Sequence, residues 1–420
     1  METEKRKKKK EWWYSWVYLG MVLGIVYLVD RFLLLSRSPS LQIHQIKLHQ
    51  KRFPPLPLRF RSLFHASAPA SASASASFKI LQVADLHYGT SRCRDVLKSQ
   101  FRDCSDLNST RFLRTLIQSE NPDFIAFTGD NIFGSTATDA AESLFRAFGP
   151  AIESRLPWAA ILGNHDQEST MNRDELMFFI SLFDYSLSQI NPSPDQLSDK
   201  FIDGFGNYNL RVFGPPGSLL ANTTLLHLLF LDSGDRETVD GIRTYGWIKE
   251  SQLRWISRVS QGFKDQKEDI GQSPDALKPQ APPALAFFHI PIPEVRQLYY
   301  KKIVGQFQEA VACSSVNSGV LQTLVSMGDV KAVFMGHDHN NDFCGNLDGI
   351  WFCYGGGFGY HGYGKAGWPR RARVVLAELG KGERDWMGVR RIKTWKRLDD
   401  DKLSKIDEQV LWEWQSSSGQ

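Results

Sequence analysis

The chain has 420 residues, 42% hydrophobic, 12% aromatic and 23% charged, a mix that excludes a mainly disordered, collagen-like or disulfide-dense protein. Its length accommodates two or three domains or one large α/β domain. The net charge of +4 is unevenly divided: residues 1–77 hold 13 Lys and Arg against 4 Asp and Glu, which leaves −5 to residues 78–420. Beyond the N-terminal arm there is no electrostatic footprint for nucleic acid.

The N-terminus reads as an anchor. An unbroken basic run, Lys5 to Lys10, precedes Trp12 to Val29, which carry no charge. At 1.5 Å per residue that stretch spans roughly 27 Å, close to the hydrocarbon thickness of a bilayer. Trp12, Trp13, Tyr14 and Trp16 gather at one end, where amphipathic rings favour the headgroup region, and Asp30-Arg31 closes the other. Residues 1–11 are then a basic cytoplasmic tip and 12–35 a signal-anchor, a single membrane helix, with the remainder lumenal or extracellular. A cleaved signal peptide, giving a secreted protein, is the alternative; its apolar region should be shorter than the 18 residues from Trp12 to Val29.

Residues 36–77 read as a linker, Pro-rich from Phe53 to Leu58 and nearly pure Ala and Ser from Ala66 to Ser77. A lumenal placement gives weight to the N-glycosylation triplets at Asn108 and Asn222 and permits disulfides. Cys93 with Cys104, and Cys344 with Cys353, are the local candidate pairs, leaving Cys313, with buried free thiols as the alternative.

From Phe78 one pattern recurs: a short apolar run, then Gly, Asp, Asn or His where a strand should end. It appears in Phe78 to His87, Phe124 to Asp130, Trp158 to Asp166, Ala284 to His289 and Val330 to His339. Near-continuous apolar runs suit strands covered on both faces. Amphipathic stretches such as Thr110 to Ser119 and Asp139 to Ile152 lie between them, so an α/β sandwich over 78–420 is expected, with function on the strand-end loops. Together the tips supply Asp85, His87, Asp130, Asn164, His289, His337 and His339: two carboxylates, one amide and four imidazoles. One tip alone is a capped turn, but the ordered set points to a catalytic or metal site. In His337-Asp-His339 the i and i+2 side chains of an extended backbone share one side, so both rings can reach neighbouring ions. Asp232, ending Leu225 to Leu231, repeats the pattern and reads as a structural cap. Val410 to Trp414 reads as a packing segment.

These blocks, Asp-x-His, Gly-Asp-x, Gly-Asn-His-Asp, an isolated His and Gly-His-x-His, resemble those of the calcineurin-like metallophosphoesterases, in the same order over roughly residues 78–380. Cys344 to Arg373, including Cys353-Tyr-Gly-Gly-Gly-Phe-Gly-Tyr-His-Gly-Tyr-Gly-Lys-Ala-Gly-Trp368, looks most like the short plant-type purple acid phosphatases. The resemblance implies a four-layer αββα sandwich of two mixed sheets flanked by helices, with metals at the strand C-termini. It assigns Asp85, His87 and His339 to a first metal, Asp130 to a bridge, and Asn164, His289 and His337 to a second. Mixed nitrogen and oxygen donors without thiolate suit Fe plus Zn or Mn. Two ions about 3.5–4 Å apart polarise phosphate oxygens and turn a bridging water into hydroxide for in-line attack. The implied activity is acid-phosphatase-like hydrolysis of a phosphate ester.

The resemblance also makes His165 the general acid or transition-state donor. Asp166 either orients that ring or caps the loop. Asn164, His289, Tyr360 and His361 are candidate substrate contacts, and Lys365 shares the Gly-rich loop of the last two, which could equally be a tight loop touching no ligand. Selectivity is expected from residues 185–225 and 258–284. The chain departs from true purple acid phosphatases at two positions. Phe133 stands where they place the phenolate Tyr, and His87 where they carry Gly, so the protein should not be purple and His87 replaces the missing ligand. The alternative function is a catalytically impaired relative acting as a membrane-tethered metal-binding or interaction module.

Overall fold

The apolar runs that end in polar tips all become strands. In the computed structural model the described residues are Met21, 56–64, 74–89, 106–192, 201–270, 282–382 and 385–414. The candidate signal-anchor over 12–35 lies outside them apart from Met21. Among the described residues no helix is long and apolar enough to cross a membrane.

Two short strands, β1 (Leu58–Arg59) and β2 (Arg61–Phe64), precede β3 (Ala74–Val83). Then α1 (Asp106–Glu120), β4 (Phe124–Thr128), α2 (Ala140–Ser154) and β5 (Trp158–Ile161) complete a β-α-β-α-β run with three parallel strands. Parallel neighbours require such crossovers, and the amphipathic stretches supply them. After α3 (Arg173–Leu182), which starts on an Asn172/Glu175 capping box, β6 (Tyr208–Phe213) and β7 (Thr224–Phe230) pair antiparallel. Next come β8 (Arg236–Val239) and β9 (Ile242–Tyr245), a two-stranded ribbon of its own, and α4 (Glu250–Ile270). The remaining elements are β10 (Ala284–Phe287), a 3-10 helix at Pro293–Tyr300, β11 (Ile303–Val304), α5 (Val320–Met327), β12 (Val330–Met335), β13 (Cys344–Leu347), β14 (Ile350–Tyr354), β15 (Arg371–Lys381), β16 (Trp386–Leu398) and β17 (Lys405–Glu413).

Two mixed sheets result, as expected for this α/β chain. One is ordered β1-β6-β7-β10-β12-β14-β13-β11 and the other β17-β16-β15-β3-β4-β5, with β2 beside β3. They face each other through rings and a few buried hydrogen bonds. Phe124 meets Phe230 at 6.3 Å, Gln82 Nε2 donates to the Met335 carbonyl at 3.0 Å, and Tyr208 Oη donates to the Ala160 carbonyl at 2.7 Å. On the outer side of the second sheet, Phe148 of α2 packs on Phe127 and Trp158. Leu321 and Leu324 of α5 are buried beside β12.

The expected linker over 36–77 is corrected at its C-terminal end. The unit containing both sheets runs from Pro55 to Gln420. β1 pairs with β6, β2 with the start of β3, and Ala74–Ser77 of the Ala/Ser tract forms the first residues of β3 between β2 and β15. Small side chains fit there because Ala76 is buried while Ser75 faces solvent. Phe60 is fully buried against Phe78 at 5.9 Å. Asn222 is exposed in the turn before β7, whereas Asn108 lies half-buried within α1.

Of the two candidate disulfides, the one between Cys344 and Cys353 is formed, joining directly paired residues of β13 and β14. It is the disulfide found among the described residues, and Cys313 is a buried free thiol. Cys93 and Cys104, the other candidate pair, both lie outside the described residues.

Trp158 is fully buried, with Phe127, Phe148 and Phe183 around its ring. Trp158→Ala should lower unfolding free energy by about 3–5 kcal/mol in denaturant titration. A loss below about 1 kcal/mol would show that this cluster does not hold α2 to the sheet.

Candidate metal centre

Parallel β3, β4 and β5, and parallel β7, β10 and β12, bring one set of strand ends together. Asp85 and His87 follow β3, Asp130 follows β4, Asn164 and His165 follow β5, His289 follows β10, and His337 and His339 follow β12. The backbone turns sharply there. Asp85, His87, Asp130 and His337 have φ of 56°, 46°, 48° and 82°, a region costly for non-glycine residues and kept where surroundings enforce it. Gly163 is required for a different reason: a Cβ there would come 2.1 Å from Asp130 Oδ1.

Two buried groups form. Donor atoms of Asp85, His87 and His339 lie within 4.8 Å of one another, as do those of Asp130, His289 and His337. Asp130 stands between them, its Oδ2 3.3 Å from His87 Nε2 and 3.2 Å from His289 Nε2. Asn164, which precedes His165, is buried, and its Oδ1 has no hydrogen-bond partner.

The atoms themselves call for cations. His339 Nδ1 lies 2.7 Å from the Tyr363 carbonyl and His289 Nδ1 2.9 Å from the Thr128 carbonyl. A carbonyl only accepts, so each Nδ1 carries a proton, and in the neutral ring each Nε2 presents a lone pair inward. His339 Nε2 then faces His87 Nε2 at 2.9 Å, and His289 Nε2 faces the Asp130 carboxylate. A proton between one such pair relieves that contact but leaves Asp85 Oδ2, Asn164 Oδ1 and His337 Nε2 buried without partners. Two cations satisfy all of these acceptors, and the oxygen and nitrogen donors suit Fe, Mn or Zn. Burial pushes the Asp85 carboxyl up to about 7, and it holds His87 and His337 well below the usual imidazole range. Resident positive ions would offset that cost.

His165 sits at the rim. Its backbone N–H donates to Asp130 Oδ1 at 2.8 Å, and its Nδ1 is 2.9 Å from Glu168 Oε2. Burial lowers its affinity for a proton, but Glu168 and Asp130 outweigh this and hold its pKa above the ordinary value. The expected orienting role of Asp166 is not what the structure has. Asp166 Oδ1 accepts the N–H groups of Asn131 and Ile132, and Oδ2 accepts that of Gly163. It caps the loop, and Glu168, one 3-10 turn along, reaches the imidazole instead.

Of the two readings open for the Gly-rich loop, the contacts seen are those of a tight loop. Tyr360 Oη donates to Asp399 Oδ2 at 2.5 Å, His361 is buried with its Nε2 3.2 Å from Thr136 Oγ1, and Lys365 Nζ donates to Gln308 Oε1 at 2.5 Å. These contacts commit all three side chains to protein partners. Tyr363 is the loop residue at the centre: its ring stacks on His339 at 3.9 Å, and its carbonyl fixes that tautomer. Phe133 packs 5.3 Å from the His87 ring, 4.9 Å from His165 and 5.4 Å from His361. Asp232 is structural, paired with Arg173 and accepting the Phe205 N–H.

Arg236 and Tyr245 were not anticipated. Arg236 Nη1 donates to the Asn164 carbonyl at 2.8 Å and pairs with Glu168 Oε1 at 2.9 Å, while Nη2 is 3.5 Å from both ring nitrogens of His165. Tyr245 meets the His337 ring edge-on at 4.4 Å. A usable signal was present: Asp240-Gly241 between two β-prone stretches marks a two-residue hairpin, and both residues have positive φ.

Residues 78–341 match the calcineurin-like phosphoesterase family. The chain is 59% identical over 413 residues to "Probable inactive purple acid phosphatase 28" of Arabidopsis thaliana, covering 97% of this chain and 98% of that one. It is 52% identical over 345 residues to "Probable inactive purple acid phosphatase 29" of the same plant, covering 81% and 87%. A third relative, "Phosphatase DCR2" of Saccharomyces cerevisiae, is 33% identical over 349 residues, 80% of this chain and 56% of that protein. With two buried Asp/His groups at the ends of its parallel strands, the chain belongs to the calcineurin-like phosphoesterase family.

Proposed function

We propose that this protein is a dinuclear-metal hydrolase of phosphate monoesters, with Fe plus Zn or Mn as its ions. The observation that carries the reading is the pair of buried Asp/His groups in which Asp85 Oδ2, Asn164 Oδ1, His289 Nε2 and His337 Nε2 have no hydrogen-bond partner, an arrangement that suits two cations. Asp85, His87 and His339 would hold the first ion, Asn164, His289 and His337 the second, with Asp130 between them. When bound, the ions supply the positive charge that polarises a phosphate ester and activates water.

The chain's own residues supply the rest. His165 holds a proton at Nε2 while Nδ1 engages Glu168, so it can donate to the departing ester oxygen. Glu168 fixes the ring plane and favours the protonated form. Arg236 braces Glu168 and the Asn164 carbonyl, tying the proton donor to a ligand of the second ion. Tyr245 and Tyr363 wall the two groups with rings. The Cys344–Cys353 disulfide favours an oxidising compartment, in keeping with a lumenal or extracellular domain tethered by residues 12–35. Asn108 and Asn222 would then be glycosylation acceptors, Asn222 the better exposed.

A second reading, an inactive metal-binding module, has two observations in its favour: Phe133 offers no oxygen to the first ion, and two similar plant proteins carry "inactive" in their names. Phosphate release from phenyl phosphate by the full chain supplied with Fe, Mn or Zn, across roughly pH 4–9, separates the two. Activity in the parent is expected. Asp130→Asn should reduce it by orders of magnitude and lower the bound metal below two ions per chain, read by elemental analysis. A folded parent that binds two ions and turns nothing over selects the inactive module.

His165→Ala should lower kcat by about 10²–10⁴-fold on phenyl phosphate. The loss should be much smaller on 4-nitrophenyl phosphate, whose leaving group needs no proton. Glu168→Gln should repeat that leaving-group dependence at smaller amplitude, marking it as a positioning residue. Equal losses on both esters would remove His165 from proton donation.

A further inference from the structure

The β8–β9 ribbon is the element that the dimetal chemistry leaves unexplained. Residues directly opposite in an antiparallel pair share a face, and so do i and i+2 along a strand. The register pairs Arg236 with Tyr245 and Thr238 with Arg243, so these four form one face of the ribbon. The first row lies against the centre, Arg236 beside His165 and Tyr245 against His337. The second row lies about 7 Å farther along the strands, toward the Asp240-Gly241 tip. The other face is tethered to the body: Glu237 pairs with Lys249 at 3.4 Å, and Thr244 Oγ1 accepts the Ser315 N–H at 2.7 Å. The ribbon base is thus fixed over the rim, with the outer row left to solvent.

Charge differs between the rows. Arg236 is matched by Glu168 and Asp235. Arg243 is exposed and enters no ion pair among the described residues, with the Thr238 hydroxyl opposite it. A leaving group that takes its proton from His165 and runs past the Arg236 row would bring its distal part to Thr238 and Arg243.

We propose that the Thr238–Arg243 row is a subsite for a second anionic group on the leaving group of the substrate. The preferred substrate class is then a phosphate ester whose alcohol carries a carboxylate or a further phosphate about 7 Å beyond the proton donor. This rests on the phosphatase reading, and it places selectivity in residues 236–245 rather than in 185–225 or 258–284.

The test uses the full chain, metal-loaded, and non-hydrolysable probes at low ionic strength: phenylphosphonate, and its analogues bearing a carboxylate or a phosphate on a short para arm. Titration calorimetry should show the doubly anionic probes binding about fivefold more tightly than phenylphosphonate, the range of an exposed ion pair, with the advantage fading in high salt. Arg243→Gln should bring the ratio to about one, Arg243→Lys should restore most of it, and Arg243→Glu should invert it. The two arms tell whether carboxylate or phosphate is the better second anion. A parent ratio of one, or a ratio unchanged in Arg243→Gln, overturns the subsite while phenyl phosphate turnover leaves the phosphatase reading standing. Failure of the metal-loaded parent to bind any of the phosphonates removes both.

Discussion

Everything at the centre depends on one buried carboxylate, that of Asp130. Its Oδ2 lies between the Nε2 atoms of His87 and His289, and its Oδ1 accepts the backbone N–H of His165. Burial alone would keep the group neutral, but His289 and His87 hold its pKa well below the usual carboxylate range. The position is reached only with φ at 48°, and only because Gly163 has no Cβ to collide with the carboxylate. Asp166 completes the arrangement by gathering the N–H groups of Asn131, Ile132 and Gly163, which keeps the loops after β4 and β5 in register. The acidic residue that looked catalytic is thereby the one that shapes the loop.

A second set of buried charges, below the Gly-rich loop, secures the other side. Asp342 accepts from Arg371 at 2.5 Å and from Lys396 at 2.6 Å, and Lys396 also meets Asp407 at 2.5 Å. Such a network gives little net stability over an apolar core, but breaking one partner leaves charge stranded, so it enforces one conformation. Arg370 exploits that fixed backbone, donating to the carbonyls of Gly362 and Tyr363 at 2.8 and 3.0 Å. The Tyr363 carbonyl in turn receives His339 Nδ1. The tautomer of a metal-facing imidazole is thus traced back through a carbonyl to an arginine beyond it.

The strands and their tips were legible because apolar runs and polar termini contrast strongly, and the five strand-end clusters converge as the ordered set implies. The Ala/Ser tract was opaque because alternation between Ala and Ser carries almost no hydrophobic contrast, although Ala76 is buried and Ser75 is not. Proximity in sequence misled at His165, where a 3-10 turn brings Glu168 rather than Asp166 to the ring. The Gly-rich segment has no period to read, so nothing local distinguished Tyr363, on the His339 ring, from Tyr360, bonded to Asp399. Arg236 was hidden differently: its hairpin is visible in Asp240-Gly241, but its reach to His165 is a tertiary fact.

Phe133 illustrates why one missing ligand does not by itself decide activity. A phenol at that position would supply an anionic oxygen to the first group, whereas the phenyl ring packs against His87, His165 and His361 and helps hold them. His87 brings a nitrogen donor to the same group, with its Nε2 2.9 Å from that of His339. Exchanging an anionic oxygen for a neutral nitrogen leaves the donor count intact and raises the net positive charge of the loaded centre. In a loaded centre that change would favour a divalent over a trivalent ion in the first position. The substitution bears on which metals would suit the centre, while Asp130 and Glu168 still hold the backbone and the ring of His165.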